Sequence, residues 1–185
     1  GFESNTYIGD LGTTLGSHVK FTGQATIVPG WTAGYVLHLE MVNNDSLSLT
    51  QDYQGENVLG DSWSRITPLQ SYWFIKSDHW GKVGIGRQSQ ASDNTAILVD
   101  GSGSLVPANW VAFDIASFYL RGNDGSLSST PWGAIGGCTG GGVWGDCNGN
   151  TQNVVRYDTP TFAGFSASAS WGEDDMWDFA RRYSC

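Results

Sequence analysis

The sequence predicts an all-β fold, an antiparallel up-and-down β-barrel of the transmembrane kind. Apolar and polar side chains alternate with a period of two residues along several segments, as in strands with one apolar and one polar side. The connections between these segments alternate between short and long, which is typical of such barrels. Aromatic residues near the segment ends suit the aromatic girdles of a membrane barrel. These residues are Trp31, Tyr35, Trp73, Trp80, Tyr157 and Trp171.

The first two predicted strands form a hairpin around a turn at Pro29 and Gly30. One face of the first strand holds Val19, Phe21, Ala25 and Ile27, and its other face holds His18, Lys20, Thr22, Gln24 and Thr26. One face of the second strand holds Tyr35, Leu37, Leu39 and Met41, and its other face holds Gly34, His38 and Glu40. The polar faces therefore suit a water-filled interior.

Two more hairpins and a final strand are expected downstream. Tight turns are predicted at residues 78–81 and 159–164, whereas the polar residues 43–67 predict a long loop and residues 1–16 a frayed strand or loop. The strands predicted downstream of the first hairpin are residues 72–76, 82–87, 153–158, 165–171 and 176–183. In the whole chain the pattern predicts about seven or eight strands.

Residues 88–151 form the longest stretch without a comparable pattern. Loops of more than about 12–15 residues without their own structure are uncommon and usually functional. The stretch has a glycine-rich part at residues 132–149, and it carries Asp93, Asp100, Asp114 and Asp124. We therefore interpret most of the chain as barrel wall and this stretch as the loop that narrows the hole.

Composition restricts the possible partners. The formal net charge of -9 argues against nucleic-acid binding, which needs a basic surface. No apolar run approaches the roughly 18 residues of a transmembrane helix, but barrel strands span with about 10 alternating residues. The chain begins at Gly1 without Met, so we expect its start to be processed or cut.

Cys138 and Cys147 enclose eight residues, three of which are the glycines 140–142. A disulfide there is sterically easy and would stabilise the fold by about 2–3 kcal/mol. It would imply an oxidising compartment, and the alternative is a pair of free thiols. A zinc site is less favoured because neither cysteine belongs to a C-x-x-C pair. Cys185 is left as an odd cysteine.

Three segments resemble the porins of Gram-negative bacteria, especially those of alphaproteobacteria. They are HVKFTGQATIVPGWTAGYVLHLE, WFIKSDHWGKVGIGRQSQASDN and NVVRYDTPTFAGFSASASWGEDDMWD. The resemblance implies a 16-stranded outer-membrane barrel, a homotrimer, and a third loop folded into the lumen. Residues 1–185 are then expected to be about half of the barrel, an N-terminal or internal fragment in which residues 88–151 are the constriction loop.

The resemblance also assigns residues to the constriction. Arg87 and Arg156 match basic positions of the family, and His18 stands about where another wall arginine is found. Asp100 and Asp114 are the expected acidic partners on the loop. Simple alternation puts Arg156 on the polar face, but it puts Arg87 with the apolar side chains unless a bulge turns it.

Two function classes remain open. The first is a passive diffusion channel in outer-membrane lipid, without cofactor, metal or catalysis, for small hydrophilic solutes. The alternative is a secreted β-sandwich that binds carbohydrate through exposed Trp. An enzyme is not expected, because the sequence has no G-x-S-x-G and no H-E-x-x-H motif. The acidic run at residues 173–175 is interpreted as a loop surface.

Overall fold

A computed structural model describes residues 6–7, 17–42, 50–51, 65–95, 98, 100–104, 118–136 and 149–184. Nearly all of the regular structure is β, as the sequence predicts. The strands are β1 (Ser17–Val28), β2 (Trp31–Val42), β3 (Arg65–Ser77), β4 (Gly81–Ser89), β5 (Tyr119–Arg121), β6 (Leu127–Pro131), β7 (Thr151–Asp158), β8 (Phe165–Gly172) and β9 (Trp177–Tyr183). The helical pieces include α1 (Trp132–Gly136) and a 3-10 turn at Glu173–Asp175. Among these described residues, no helix is long and apolar enough to cross a membrane.

The chain divides into two compact units. The first comprises Gly1–His18, Glu40–Thr67 and Asp100–Cys147, and the second comprises Val19–Leu39, Pro68–Val99 and Asn148–Cys185. In the first unit, strands β5 and β6 pair antiparallel as a small separate sheet. The Gln51 amide binds the backbone of Tyr119 twice, by donating to its carbonyl at 2.6 Å and accepting from its N–H at 2.8 Å.

Seven strands form one sheet in the order β1-β2-β3-β4-β7-β8-β9. Each of these seven strands lies beside the one that precedes it along the chain, with β5 and β6 left out. The pairings from β3 to β9 are antiparallel. The predicted up-and-down antiparallel architecture is therefore confirmed. Strands β1 and β9 are the two edges, so these seven strands do not close a barrel by themselves.

Short turns join the strands at one end of the sheet. The turn after β1 and the turn after β3 lie side by side, because the Asp78 N–H donates to the Gly30 carbonyl at 3.1 Å. Gly81 ends the second turn with a φ of +85°, and a Cβ there would overlap the carbonyl of Asp158 on β7. Only glycine fits both the positive φ and this close approach. Strand β4 ends, and β7 begins, at the opposite end of the sheet, where Ser89 pairs with Thr151.

The strand register sorts the side chains onto two faces. Lys82, Asp158, Arg156, Ser168 and Ser170 share one face, which we name the polar face. The opposite, apolar face carries large hydrophobic side chains, all but Ile75 exposed. These are Trp73, Ile75, Val83, Ile85, Val155, Tyr157, Phe165, Trp171, Trp177, Phe179 and Tyr183.

Burial in the described part of the chain is the reverse of that in a soluble domain. Its buried hydrophobic residues are Val36, Ala91, Val154 and Ala180. Its buried polar residues are more numerous and comprise Glu40, Ser77, Gln88, Gln90, Thr151, Ser168 and Ser170. A sheet with an exposed apolar side and a covered polar side fits a wall that separates lipid from water.

Aromatic pairs mark both ends of the β8–β9 hairpin on the apolar face. The rings of Trp171 and Trp177 stack with centroids 6.0 Å apart, and those of Phe165 and Tyr183 lie 4.5 Å apart. Six residues along β8 separate the two levels, about 20 Å at strand rise. That spacing approaches the apolar band of roughly 25 Å between the girdles of a membrane barrel.

The structure corrects two sequence-based expectations. Strand β3 begins at Arg65, inside the stretch predicted as loop, and residues 88–151 contain β5, β6 and α1. The short elements escaped detection because β5 has three residues and β6 (LSSTP) has no apolar alternation. Strands this short show no period of two.

Candidate functional site

A network of charged side chains lies on the polar face of β4, β7 and β8. Alternation puts Arg156 and Asp158 on the same side of β7, and the register puts Lys82 of β4 opposite Asp158. The Arg156 Nε and Nη2 atoms donate to Oδ1 of Asp158 at 2.9 and 2.7 Å. The Lys82 ammonium lies 3.2 Å from Oδ2 of the same carboxylate, and the Ser168 hydroxyl donates to Oδ1 at 2.6 Å. The carboxylate is thus held by two cations and a hydroxyl.

The long loop begins against this network. We name residues 89–92 the loop root. The Arg156 Nη1 atom donates to the carbonyls of Ser89 and Gln90, both at 3.0 Å. Ala91 is 0% exposed and Gln90 is buried. The loop root therefore lies on the polar face of the sheet and is held there in part by Arg156.

The two ends of the loop are bonded to each other. The Gln90 N–H donates to the Asn150 carbonyl at 2.9 Å, and the Asn150 N–H donates to Oε1 of Gln90 at 2.8 Å. The Gly149 N–H also donates to the Ser92 hydroxyl at 2.8 Å. The loop therefore leaves the sheet and rejoins it at one place, where β4 and β7 lie side by side.

A cleft of about 660 Å³ opens on the polar face near the short turns. Its charged lining residues are Lys76, Asp78, Lys82, Arg156 and Asp158. Lys76 and Lys82 stand directly opposite each other in the register. This part of the polar face therefore offers open, charged surface that water and ions can reach.

Arg87 does not share a face with Arg156. It pairs with Ser71 and Asn153 in an uninterrupted register, beside Ile85 and Val83 on the apolar side. Its Nε atom donates to the Pro68 carbonyl at 3.0 Å. No bulge redirects it, so its assignment to a constriction stays a prediction that the register does not favour.

The other predicted site residues are distributed over the first unit. His18 is exposed at the start of β1. The Asp100 carboxylate accepts from the Ser102 N–H at 3.1 Å and the Ser102 hydroxyl at 2.6 Å. Asp114, Cys138 and Cys147 lie outside the described residues. The pore roles of His18, Asp100 and Asp114 and the disulfide therefore stay predictions.

Asp124 forms the turn between β5 and β6. Its Oδ1 atom accepts from the Ser126 hydroxyl at 2.7 Å and from the Ser126 N–H at 3.0 Å. These hydrogen bonds hold the pKa of the Asp124 carboxyl below its ordinary value. The aspartate is fully exposed, and its role here is to fix a turn.

Sequence reasoning missed three charged residues of the polar face, Asp158, Asp178 and Arg182. The signal was available in the alternation. Asp158 stands two residues after Arg156, so alternation places both on the same face. Arg182 follows Arg181, which the pattern places with Trp177 and Phe179, so alternation places Arg182 on the opposite, polar face. In the described residues, no three His, Cys, Asp or Glu side chains gather as a metal site requires.

The sequence matches the family described as Gram-negative porin over residues 3–182. The chain belongs to the Gram-negative porin family. No curated protein and no solved structure matches it. The porin is therefore an outer-membrane protein of a channel family, whose barrels have an apolar outer side and a polar inner side. The alphaproteobacterial type stays a prediction, and the family match leaves no support for the carbohydrate-binding β-sandwich.

Proposed function

We propose that this porin is a general diffusion channel through which small hydrophilic solutes and ions pass down their gradients. The loop of residues 88–151 narrows its pore. The supporting observation is the position of the loop root, whose backbone at Ser89 and Gln90 is bound by Arg156 on the polar face. A loop that begins on the lumen side of the wall starts its course inside the pore.

The charges of the polar face supply the chemistry that such a channel needs. Lys82, Arg156 and Asp158 together carry one net positive charge. Fixed charges along an aqueous pore orient water and set ion preference, and they favour polar solutes over apolar ones. Asp100 and Asp114 are the proposed acidic partners on the loop, and His18 is a proposed wall residue. Passive diffusion involves no cofactor and no catalysis.

We propose two further properties from the family resemblance. The porin assembles as a homotrimer in outer-membrane lipid, and Cys138 is bonded to Cys147 within the loop. Chemical crosslinking of isolated membranes would reveal the trimer. Mass spectrometry of the unreduced protein would reveal the bond.

Two measurements on the porin purified from the outer membrane test the channel. In planar bilayers we expect stepwise conductance that is ohmic at low voltage. In liposomes we expect swelling in sugars to slow as the sugar becomes larger. If neither current steps nor swelling occur with correctly folded protein, the diffusion channel is wrong.

Deleting residues 100–147 from the loop tests the narrowing separately. We expect the conductance to rise by roughly twofold, because a wider aqueous path admits more ions. An unchanged conductance in a folded deletion variant would show that the loop does not narrow the pore, while the channel itself would stand.

A further inference from the structure

Side chains of β8 and β9 hold the loop root in addition to Arg156. The Ser170 hydroxyl of β8 accepts from the Ala91 N–H at 3.0 Å. The Asp178 Oδ2 atom of β9 accepts from the Ser92 N–H at 2.7 Å. The Arg182 Nη2 atom of β9 donates to the Ala91 carbonyl at 2.6 Å. The root therefore crosses three neighbouring strands, β7, β8 and β9, and each contributes a bond.

These bonds serve five backbone groups of the loop root. The carbonyls of Ser89, Gln90 and Ala91 accept from arginines, and the N–H groups of Ala91 and Ser92 donate to a hydroxyl and a carboxylate. Ser89 is the last residue of β4, and residues 90–92 lie in no helix or strand. Buried backbone groups must be paired, so the wall side chains replace secondary structure for this segment.

Arg182 also connects the root to the charge network of the wall. Its Nη1 atom donates to the Ser168 hydroxyl at 2.9 Å, and that hydroxyl donates to Asp158, the partner of Arg156. The planar guanidinium can point separate N–H groups at the wall and at the root. Ser168 and Ser170 are both buried, so solvent does not compete for these bonds.

We propose that Arg182 and Asp178 are positioning residues of the constriction loop. Together with Arg156 they hold the loop root flat against the wall and so prevent it from blocking the pore. This inference rests on the proposed function and extends it. A root released from the wall moves into the lumen and interrupts the current for brief periods.

Arg181 provides a matched control beside Arg182. It carries the same charge one residue earlier, but it lies on the apolar face, where its guanidinium sits 4.7 Å from the centroid of the Phe165 ring. Replacing either arginine by glutamine removes one positive charge from β9. Only Arg182→Gln breaks the bond to the root.

The experiment compares single channels of the natural protein, Arg182→Gln, Arg182→Lys and Arg181→Gln in planar bilayers. For Arg182→Gln we expect brief closures to become about tenfold more frequent, since hydrogen bonds to charged groups are worth at least that factor in an equilibrium. For Arg182→Lys we expect an intermediate rise, because one ammonium does not reproduce the fork. Arg181→Gln should match the natural protein.

The outcomes separate the inference from the proposed function. A natural protein that shows no current would sink the diffusion channel and this inference with it. A conducting natural protein with equal closure rates in Arg182→Gln and Arg181→Gln would sink the inference alone. Heat-dependent gel mobility checks folding. If Arg182→Gln does not fold, Arg182→Lys and Asp178→Asn decide the question by the same comparison with Arg181→Gln.

Discussion

The two faces of the sheet treat the same kind of residue in opposite ways. Arg182 and Arg156 lie on the polar face, where carbonyls, a hydroxyl and a carboxylate receive their guanidinium groups. Arg181 and Arg87 lie on the apolar face, the first over an aromatic ring and the second bonded to a single carbonyl. One step along a strand therefore decides whether a cation lies on the polar face or on the apolar face.

The cations on the apolar face lie near strand ends. Arg87 is two residues from the end of β4, and Arg181 is two residues from the end of β9. A charge at that level reaches the headgroup region, where it costs little, whereas a charge at the bilayer midplane costs about 2–4 kcal/mol.

The largest effect is expected for a charge placed on the apolar face of β1. Phe21 and Thr22 are adjacent near the middle of that strand and alternate in face. We expect Phe21→Arg to lower the free energy of unfolding by about 2–4 kcal/mol, because the cation enters lipid. Thr22→Arg should change it by less than about 1 kcal/mol. Urea unfolding from lipid vesicles measures both, and equal losses would contradict the assignment of faces.

A smaller effect is expected for a methyl group added on the polar face. A Cβ at Gly34 of β2 would overlap the Phe74 ring and lie 2.8 Å from the Gly23 carbonyl. Gly34→Ala should therefore lower the unfolding free energy by about 1–3 kcal/mol, as overpacking does. Gly23 of β1 has no atom within 4 Å of such a Cβ, so Gly23→Ala is the control and should be neutral or slightly stabilising. The same unfolding assay applies, and a harmless Gly34→Ala would contradict this packing.

The stacked indoles at one end of the apolar face should show a modest coupling. Trp171 and Trp177 are both exposed, and their rings stack on adjacent strands. A double-mutant cycle with alanine should give a coupling energy of about 0.5–1.5 kcal/mol. The reference cycle pairs Trp171 with Phe165, six residues away on β8, and should give no coupling. Equal values in both cycles would mean that the stacking contributes nothing specific.

The smallest effect is expected at the turn of the β5–β6 hairpin, outside both faces. The hydrogen bonds from Ser126 lower the pKa of Asp124, so they stabilise the turn at neutral pH. Their contribution is complete above the ordinary aspartate pKa of about 3.9 and is lost as the pH falls through the lower pKa of the folded turn. The amide chemical shift of Ser126 should follow this titration, and Asp124→Asn should abolish it. A titration midpoint at or above the ordinary value would contradict the hydrogen bonds.

The alternation of side chains was enough to predict the wall. It gave the antiparallel sheet, and it placed Arg87 with Val83 and Ile85, where the register puts it. The family resemblance assigned the same arginine to the pore lining. Where the two disagree, alternation has the stronger physical basis, since a strand can present a residue to only one side.

The loop root could not be predicted from the sequence. Its bonds join Ala91 to Ser170 and Ser92 to Asp178, pairs that are far apart in the chain. Bonds between side chains and backbone follow no repeat, so no periodic pattern announces them. The short strands β5 and β6 were missed for a related reason, because three and five residues are too few to display a period.

The distance in sequence between the partners of the root has a consequence for the order of folding. Ala91 and Arg182 are separated by 91 residues. Hairpins such as β3–β4 and β8–β9 close short segments and can form early, whereas contacts across long separations carry a larger entropic barrier and form late. The side chains that bind the root are brought together only once β7, β8 and β9 have paired. We therefore expect the wall to assemble first, so that the loop root docks onto a sheet that has already formed.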